Sequence, residues 1–298
     1  MRDFASRWLM LGLGFPLVAE PLVAQGYSAK QCPSCAEWNV PHAPVKLFGN
    51  TFYVGTDGLT SILITSPAGH VLLDGALPES APLILANISA LGFHARDVKL
   101  ILNSHDHYDH AGGIAELARA TGARVAATAS SAATLRRGRP APSDPQFGVH
   151  LPMPSVAKVD VIAAGDTMRV GPITLVAHAT PGHTSGGTTW SWRSCDGARC
   201  LDMVYADSQS PISDDTFRYT GDARYPTAAA DFAKGHRTIE QLRCDVLITP
   251  HPGGASLWER LAAPDSAPGL VDAAACKRYA ASARAALAAR LERERAGK

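Results

Sequence analysis

Net charge is nearly absent from this chain: 28 Lys and Arg face 27 Asp and Glu, and charged residues make up only 18% of it. A nucleic-acid backbone needs a basic field and an acidic tail needs a run of one sign; neither is present. Beyond the N-terminal segment no apolar run approaches the roughly 20 residues that a membrane-crossing helix requires. No GxSxG or SxxK element offers a serine nucleophile. Only one CxxC occurs, Cys32-Pro33-Ser34-Cys35, which excludes a paired-CxxC zinc site. No βαβ pattern surrounds it as a thioredoxin-like redox site would require. A hydrophobic fraction of 46% excludes wholesale disorder. What the chain does have is 26 Gly, 21 Pro and 11 His in 298 residues. That composition points to a loop-rich body with a sizeable core and an unusual supply of imidazole.

The first residues read as a secretory signal. Arg2 and Arg7 precede an uncharged stretch from Trp8 to Ala19, too short to span a membrane and broken by Pro16 and Pro21. Cleavage is expected after Ala24, leaving residues 25–298 as one mature domain in the periplasm. The six cysteines all follow, and an even count in an exported chain predicts disulfides. Cys195 and Cys200 flank an Asp-Gly turn and are expected to clip a hairpin. Cys32 and Cys35 are read as a local bridge, and Cys244 then pairs with Cys276 by elimination.

Short β-rich runs dominate from Lys46 to Asp74, separated by Gly49-Asn50, Asp57-Gly58 and Pro67-Ala68-Gly69, as turns require. A helix is predicted over 80–91, then a buried strand over 98–103, a helix over 113–121 and a strand at 125–127. From about Val159 the style repeats, with strands near 168–170 and 173–176, the hairpin built on 190–192 and 203–205, a helix over 227–242, a strand over 245–249 and a closing helix over 270–295. Two similar β-then-α halves suit two sheets packed face to face with helices outside.

The chemistry is concentrated in Ser104-His105-Asp106-His107-Tyr108-Asp109-His110-Ala111-Gly112-Gly113. On a turn leaving a strand, neighbouring side chains fan apart. His105 and His107 can therefore face one metal ion while Asp109 and His110 face another. Imidazole suits zinc, and a carboxylate adds a harder ligand and negative charge. Four donors are too few for two ions. Thr180-Pro181-Gly182-His183 and Thr249-Pro250-His251 each put one His just after a β run, and both are expected to complete the set. His42, His70, His94, His150, His178 and His236 lack that context and are read as core or surface residues.

HxHxDH, a downstream Gly-His and a later Pro-His resemble the metallo-β-lactamase superfamily over nearly the whole mature chain. Trp38-Asn39-Val40-Pro41, Leu73-Asp74-Gly75-Ala76-Leu77-Pro78 and Tyr205-Ala206-Asp207-Ser208 are similar to subclass B3 in particular, and Ser208 stands near where other subclasses carry a Cys ligand. The resemblance implies an α/β fold, the four-layer αββα sandwich, and two zinc ions. One would be held by His105, His107 and His183, the other by Asp109, His110 and His251. It also implies hydrolysis of the β-lactam amide by a metal-activated hydroxide that Asp109 orients. Ser208 and Ser210 would bind the substrate carboxylate, and Trp38 would wall the site. The partner expected is a small-molecule β-lactam, acted on by a monomer. Glyoxalase II-like thioester hydrolases and phosphodiesterases share the superfamily and bridge their metals with an Asp, which makes Asp207 the residue that separates the readings. A non-catalytic zinc scaffold is disfavoured, because structural zinc sites are closed by four protein ligands.

Overall fold

The computed structural model describes Met1, residues 31–264 and residues 269–297. The expected signal segment and its cleavage point therefore lie outside the described residues, Met1 aside. Seven strands lie side by side in chain order in one sheet: β1 (Val45–Phe48), β2 (Thr51–Tyr53), β3 (Ile62–Ile64), β4 (His70–Leu73), β5 (Val98–Leu102), β6 (Arg124–Thr128) and β7 (Asp160–Ile162). Pairing is antiparallel from β1 to β4 and parallel from β4 to β7. The second sheet holds β8 (Thr167–Val170), β9 (Ile173–Ala179), β10 (Thr188–Asp196), β11 (Arg199–Tyr205) and β12 (Val246–Ile248), in the order β12-β11-β10-β9-β8. Only β11 and β12 run parallel there.

Strand alternation explains why both faces of each sheet are apolar. Ile62 and Ile64, Val71 and Leu73, and Leu100 and Leu102 point at the second sheet and pack with Trp190, Met203, Tyr205 and Ile248. Their neighbours Leu63, Leu72 and Ile101 point the other way, toward α2 (Ala81–Ala90), α4 (Ile114–Thr121) and α5 (Ala129–Arg137). Val204 and Leu247 turn outward in the second sheet, against α6 (Ala228–Gln241) and α8 (Ala275–Arg295), the short α7 (Leu257–Leu261) lying between these two in the chain. The result is the expected order of helices, sheet, sheet, helices. Among the described residues no helix is long and apolar enough to cross a membrane.

The structure joins Cys32 to Cys35, Cys195 to Cys200 and Cys244 to Cys276. The last pair ties the turn after α6 to the start of α8 across 32 residues, a constraint contributing about 3–4 kcal/mol in the loop-entropy picture. The two halves are less alike than expected. The strand near Val159 is β7, which belongs to the first sheet, so the second half begins at β8. The closing helix starts at Ala275 instead of Leu270 because Arg260 takes the Gly269 and Leu270 carbonyls and Asp272 N–H donates to the Asp245 carbonyl. These contacts hold the segment out of helical geometry. Trp38 ends the one-turn helix α1 (Cys35–Trp38), whose first residue is held by the Cys32–Cys35 disulfide.

Candidate metal centre and its cavity

The carboxyl ends of β5, β9, β11 and β12 converge on one edge of the sandwich, and each contributes a polar loop. The turn after β5 carries most of the donors and is held from beneath. Asp74, fully buried, accepts from Ser104 N–H (2.7 Å), Ser104 Oγ–H (2.6 Å) and Tyr205 O–H (2.7 Å). Asp74 and Ala76 both adopt positive φ, 59° and 54°, a conformation that stores strain in non-glycine residues and is common beside functional sites. The Gly112-Gly113 pair is needed for closeness: a Cβ on Gly113 would lie 2.2 Å from the Gly75 carbonyl oxygen. A short helix, α3 (Tyr108–Ala111), then aims Asp109 and His110 into the site. Trp190 and Thr188 reach across from the second sheet to the Asn103 and Ser104 carbonyls (3.0 and 2.7 Å).

Two clusters form, each with its candidate ligand atoms within 4.8 Å of one another: His105, His107 and His183, and Asp109, His110 and His251. In four of the five histidines a hydrogen bond selects the free nitrogen. His183 Nδ1 donates to the Ser210 carbonyl (2.8 Å) and His251 Nδ1 to the Gly58 carbonyl (3.1 Å). A carbonyl can only accept, so the ring proton sits on Nδ1 and Nε2 is the nitrogen turned toward the cluster. His105 Nδ1 lies 2.8 Å from Asp207 Oδ1, leaving a buried Nε2 without a partner. His107 Nε2 lies 3.1 Å from Asp144 Oδ2, leaving Nδ1. Asp109 Oδ2 sits 3.2 Å from His110 Nε2 and 3.3 Å from His251 Nε2, while Asp109 Oδ1 and His110 Nδ1 have no partner. Buried, partnerless lone pairs converging from several loops fit divalent cations with nitrogen and oxygen preference, zinc among them.

The charges agree. Burial holds His105, His107 and His183 below their ordinary pKa; neighbouring imidazoles add to it at His105 and His107, and at His183 the Ser210 carbonyl, Asp144 and Asp109 only partly offset it. These rings are therefore neutral, as metal ligands must be. Burial pushes the Asp109 carboxyl up, but His110 and His251 outweigh it and hold it well below the usual carboxylate range. For His110 burial lowers the pKa, yet Asp109 and Asp74 more than reverse that. A carboxylate that favours positive charge beside it is what a cation site requires.

A cavity of ≈ 570 Å³ opens over both clusters, well sized for a small molecule. Ser208, Ser210 and Trp38 all line it, as do His107, Asp109, His183 and His251. Trp38 leans on the His251 ring at 5.1 Å between centroids. Asp207 is fully buried and behind His105, whereas its neighbour Ser208 reaches the cavity. Asp207 is in neither cluster.

Two participants escaped the sequence reading. Asp144, in the segment after α5, orients His107. His150, expected to be an ordinary core or surface residue, lines the cavity, and its ring lies 3.6 Å from that of His107. Neither follows a strand, so the cue that identified His183 and His251 was missing. The remaining histidines stay out of the site: His178 bonds Ser191 and His42 stacks on Trp258.

The sequence profile described as "Metallo-beta-lactamase superfamily" matches residues 54–265. The chain is similar to the solved structure titled "Rm3 metallo-beta-lactamase", with 52% identity, a TM-score of 0.86, and coverage of 89% of this chain and 99% of that one. It is also similar to MEM-A1, described as a subclass B3 metallo-beta-lactamase from a soil metagenome library, at 46% identity and a TM-score of 0.85, covering 88% of this chain and 100% of that one. A curated hydroxyacylglutathione hydrolase of Bradyrhizobium sp. (strain ORS 278) is 32% identical over 41% of this chain, and the match spans only 38% of that hydrolase's own length. The chain belongs to the metallo-β-lactamase superfamily, a family whose members hold metal ions. Within it, the full-length likeness is to the subclass B3 enzymes.

Proposed function

We propose that the protein hydrolyses the β-lactam amide bond of antibiotics with the help of two zinc ions. The observation that carries this reading is the pair of complete donor clusters at the floor of a cavity whose wall is Ser208 and Ser210. His105 Nε2, His107 Nδ1 and His183 Nε2 would hold one ion; Asp109, His110 and His251 Nε2 would hold the other. When bound, zinc lowers the pKa of a water molecule to about 7 and stabilises negative charge developing on the substrate. The chain's own groups do the rest. Asp207, Asp144 and the Ser210 and Gly58 carbonyls keep each ring turned so that its lone pair faces inward. Asp109 Oδ1, free of any partner, accepts a hydrogen bond from the attacking water and so orients it. Ser208 and Ser210 donate to the substrate carboxylate, and Trp38 closes one side of the cavity.

The alternative is thioester hydrolysis, which the curated hydroxyacylglutathione hydrolases bring to mind. It calls for an Asp bridging the metals, and the engagement of Asp207 with His105 supports the lactamase instead. We further propose that the protein is exported to the periplasm by residues 1–24, that residues 25–298 form one catalytic unit, and that it acts as a monomer. Three disulfides support an oxidising compartment. The test is hydrolysis of the chromogenic β-lactam nitrocefin. It is expected to stop on treatment with EDTA and to return with added zinc, while a glutathione thioester is left intact. Activity that survives complete metal removal, or a preference for the thioester, would overturn the proposal.

A further inference from the structure

Seven donors surround the cavity floor where the two clusters need six. The seventh is His150, and it belongs to a third set: ligand atoms of His107, Asp109 and His150 also lie within 4.8 Å of one another. Both nitrogens of His150 are shielded from solvent, and neither has a hydrogen-bond partner. Buried polar atoms are almost always paired, so two orphans on one ring, one of them within 4.8 Å of two other donors, point to a ligand.

Position says when that ligand would be held. His105, His107 and His183 are all buried, at 0, 3 and 5% exposure; His107 and His183 touch the cavity while His105 does not, so an ion bound for all three enters by way of the cavity wall at His107. The second cluster opens to solvent through His251, whose side chain is 37% exposed. The first has no exposed member. His150 stands at that approach to His107. It lies against His107, and it follows the exposed Gly148 and Val149 at the cavity rim.

We infer that His150, with His107 and Asp109, forms an outer, transient position for a divalent cation, from which the ion passes to the His105, His107 and His183 cluster. Because the outer set draws on His107 and Asp109, it cannot stay filled once both inner clusters are. It is a loading position and not a third permanent site. The inference rests on the metal-dependent reading above.

The experiment uses the metal-free full-length protein mixed with cobalt(II) alone in a stopped-flow spectrometer. Growth of the ligand-field bands reports loading, and equilibrium dialysis counts the ions at the end point. His150→Phe keeps a ring against His107 but offers no donor. It is expected to load about tenfold more slowly, the low end of what a supporting group contributes at a metal site, and still to reach the wild-type stoichiometry. His150→Glu, which restores a ligand atom, is expected to recover most of the rate. Loading of His150→Phe at the wild-type rate would overturn the inference. So would equal slowing in both variants, which would mark a packing role, or loss of one ion at equilibrium, which would make His150 an inner ligand. A wild-type protein that took up no cobalt would instead refute the metal-dependent reading itself, so the two failures are distinguishable. A melting curve for each variant confirms that it is folded before its rate is read.

Discussion

Two segments reach the same cavity by opposite means. The turn at 103–113 leaves a buried parallel strand and is braced on every side: Asp74 from below, Asp207 behind His105, and Trp190 and Thr188 from the facing sheet. The segment at 138–159 contains no helix or strand. It exposes Phe147 and Val149, yet it supplies Asp144 and His150 to the same floor. A braced turn sets donor positions to fractions of an ångström. A surface segment can vary in sequence without disturbing the sandwich, so it is where orientation and access can be tuned.

The largest effects are expected from the donors themselves. His183→Ala and His251→Ala should each lose about one bound zinc at equilibrium and more than about a hundredfold in kcat/KM, beyond the range seen when only a ring-orienting partner is removed. Metal analysis after dialysis checks this, and unchanged stoichiometry in either variant would show that the wrong histidine was chosen.

The comparison of the two segments is sharpest in the groups that hold the rings. Asp207→Ala removes the nearer partner of His105 Nδ1 in a fully buried place and leaves only Ser104 Oγ, 3.2 Å away and already donating to Asp74, and Asp144→Ala takes the acceptor from His107 Nε2 in the more open segment. Both should weaken metal binding by about ten- to a hundredfold, Asp207→Ala the more, because neither water nor a loop shift can replace the lost acceptor there. Competition with a chelator of known affinity measures each. Complete loss of both ions in Asp207→Ala would mean that Asp207 is itself a ligand, and would move the weight to the thioester or phosphodiester hydrolases.

A smaller change is expected at the cavity wall. Ser208→Ala should keep both zinc ions and mainly raise KM for a carboxylate-bearing β-lactam, since a binding hydrogen bond is lost and the catalytic groups are untouched. The penalty is about 1.5–3 kcal/mol for a bond to a charged group. Steady-state kinetics checks it; a fall in kcat with KM unchanged would reassign Ser208 to the chemistry.

The last effect is on stability, leaves activity untouched, and lies away from both segments. His236 is buried on α6 with neither nitrogen paired. Burial, helped by Arg284 and Arg237, pushes its pKa down to about 4. The unfolded chain therefore binds this proton more tightly, so stability is complete above about pH 6.5 and falls as the pH drops toward 4. The loss is at most about 3 kcal/mol. Denaturant midpoints between pH 7 and 4 should fall less steeply in His236→Leu than in the wild type; parallel curves would refute the assignment.

Much of this molecule was legible in one dimension because its signals are local. Apolar runs bounded by Gly, Pro and Asn mark β3, β4 and β5, since a strand with two buried faces must be apolar throughout. The turn after β5 announces itself because its donors are crowded into six positions. His183 and His251 could be added because each follows a strand and a turn. Cys195 and Cys200 sit across a two-residue turn, and that spacing alone defines a clipped hairpin. What only the tertiary structure decided are relations between distant segments. Nothing near Asp144 or His150 in the chain distinguishes them from ordinary loop residues; they matter because folding lays residues 138–159 over a turn more than thirty positions earlier. The same holds for Asp207. Its neighbours show that it follows a strand, but whether it faces a metal or the back of a histidine depends on how the second sheet packs on the first. Ring orientation is also settled in three dimensions, by carbonyls at Gly58 and Ser210 that any residue could supply. Side-chain chemistry is written in the sequence, whereas backbone acceptors are the same at every position and become specific only where the fold places them.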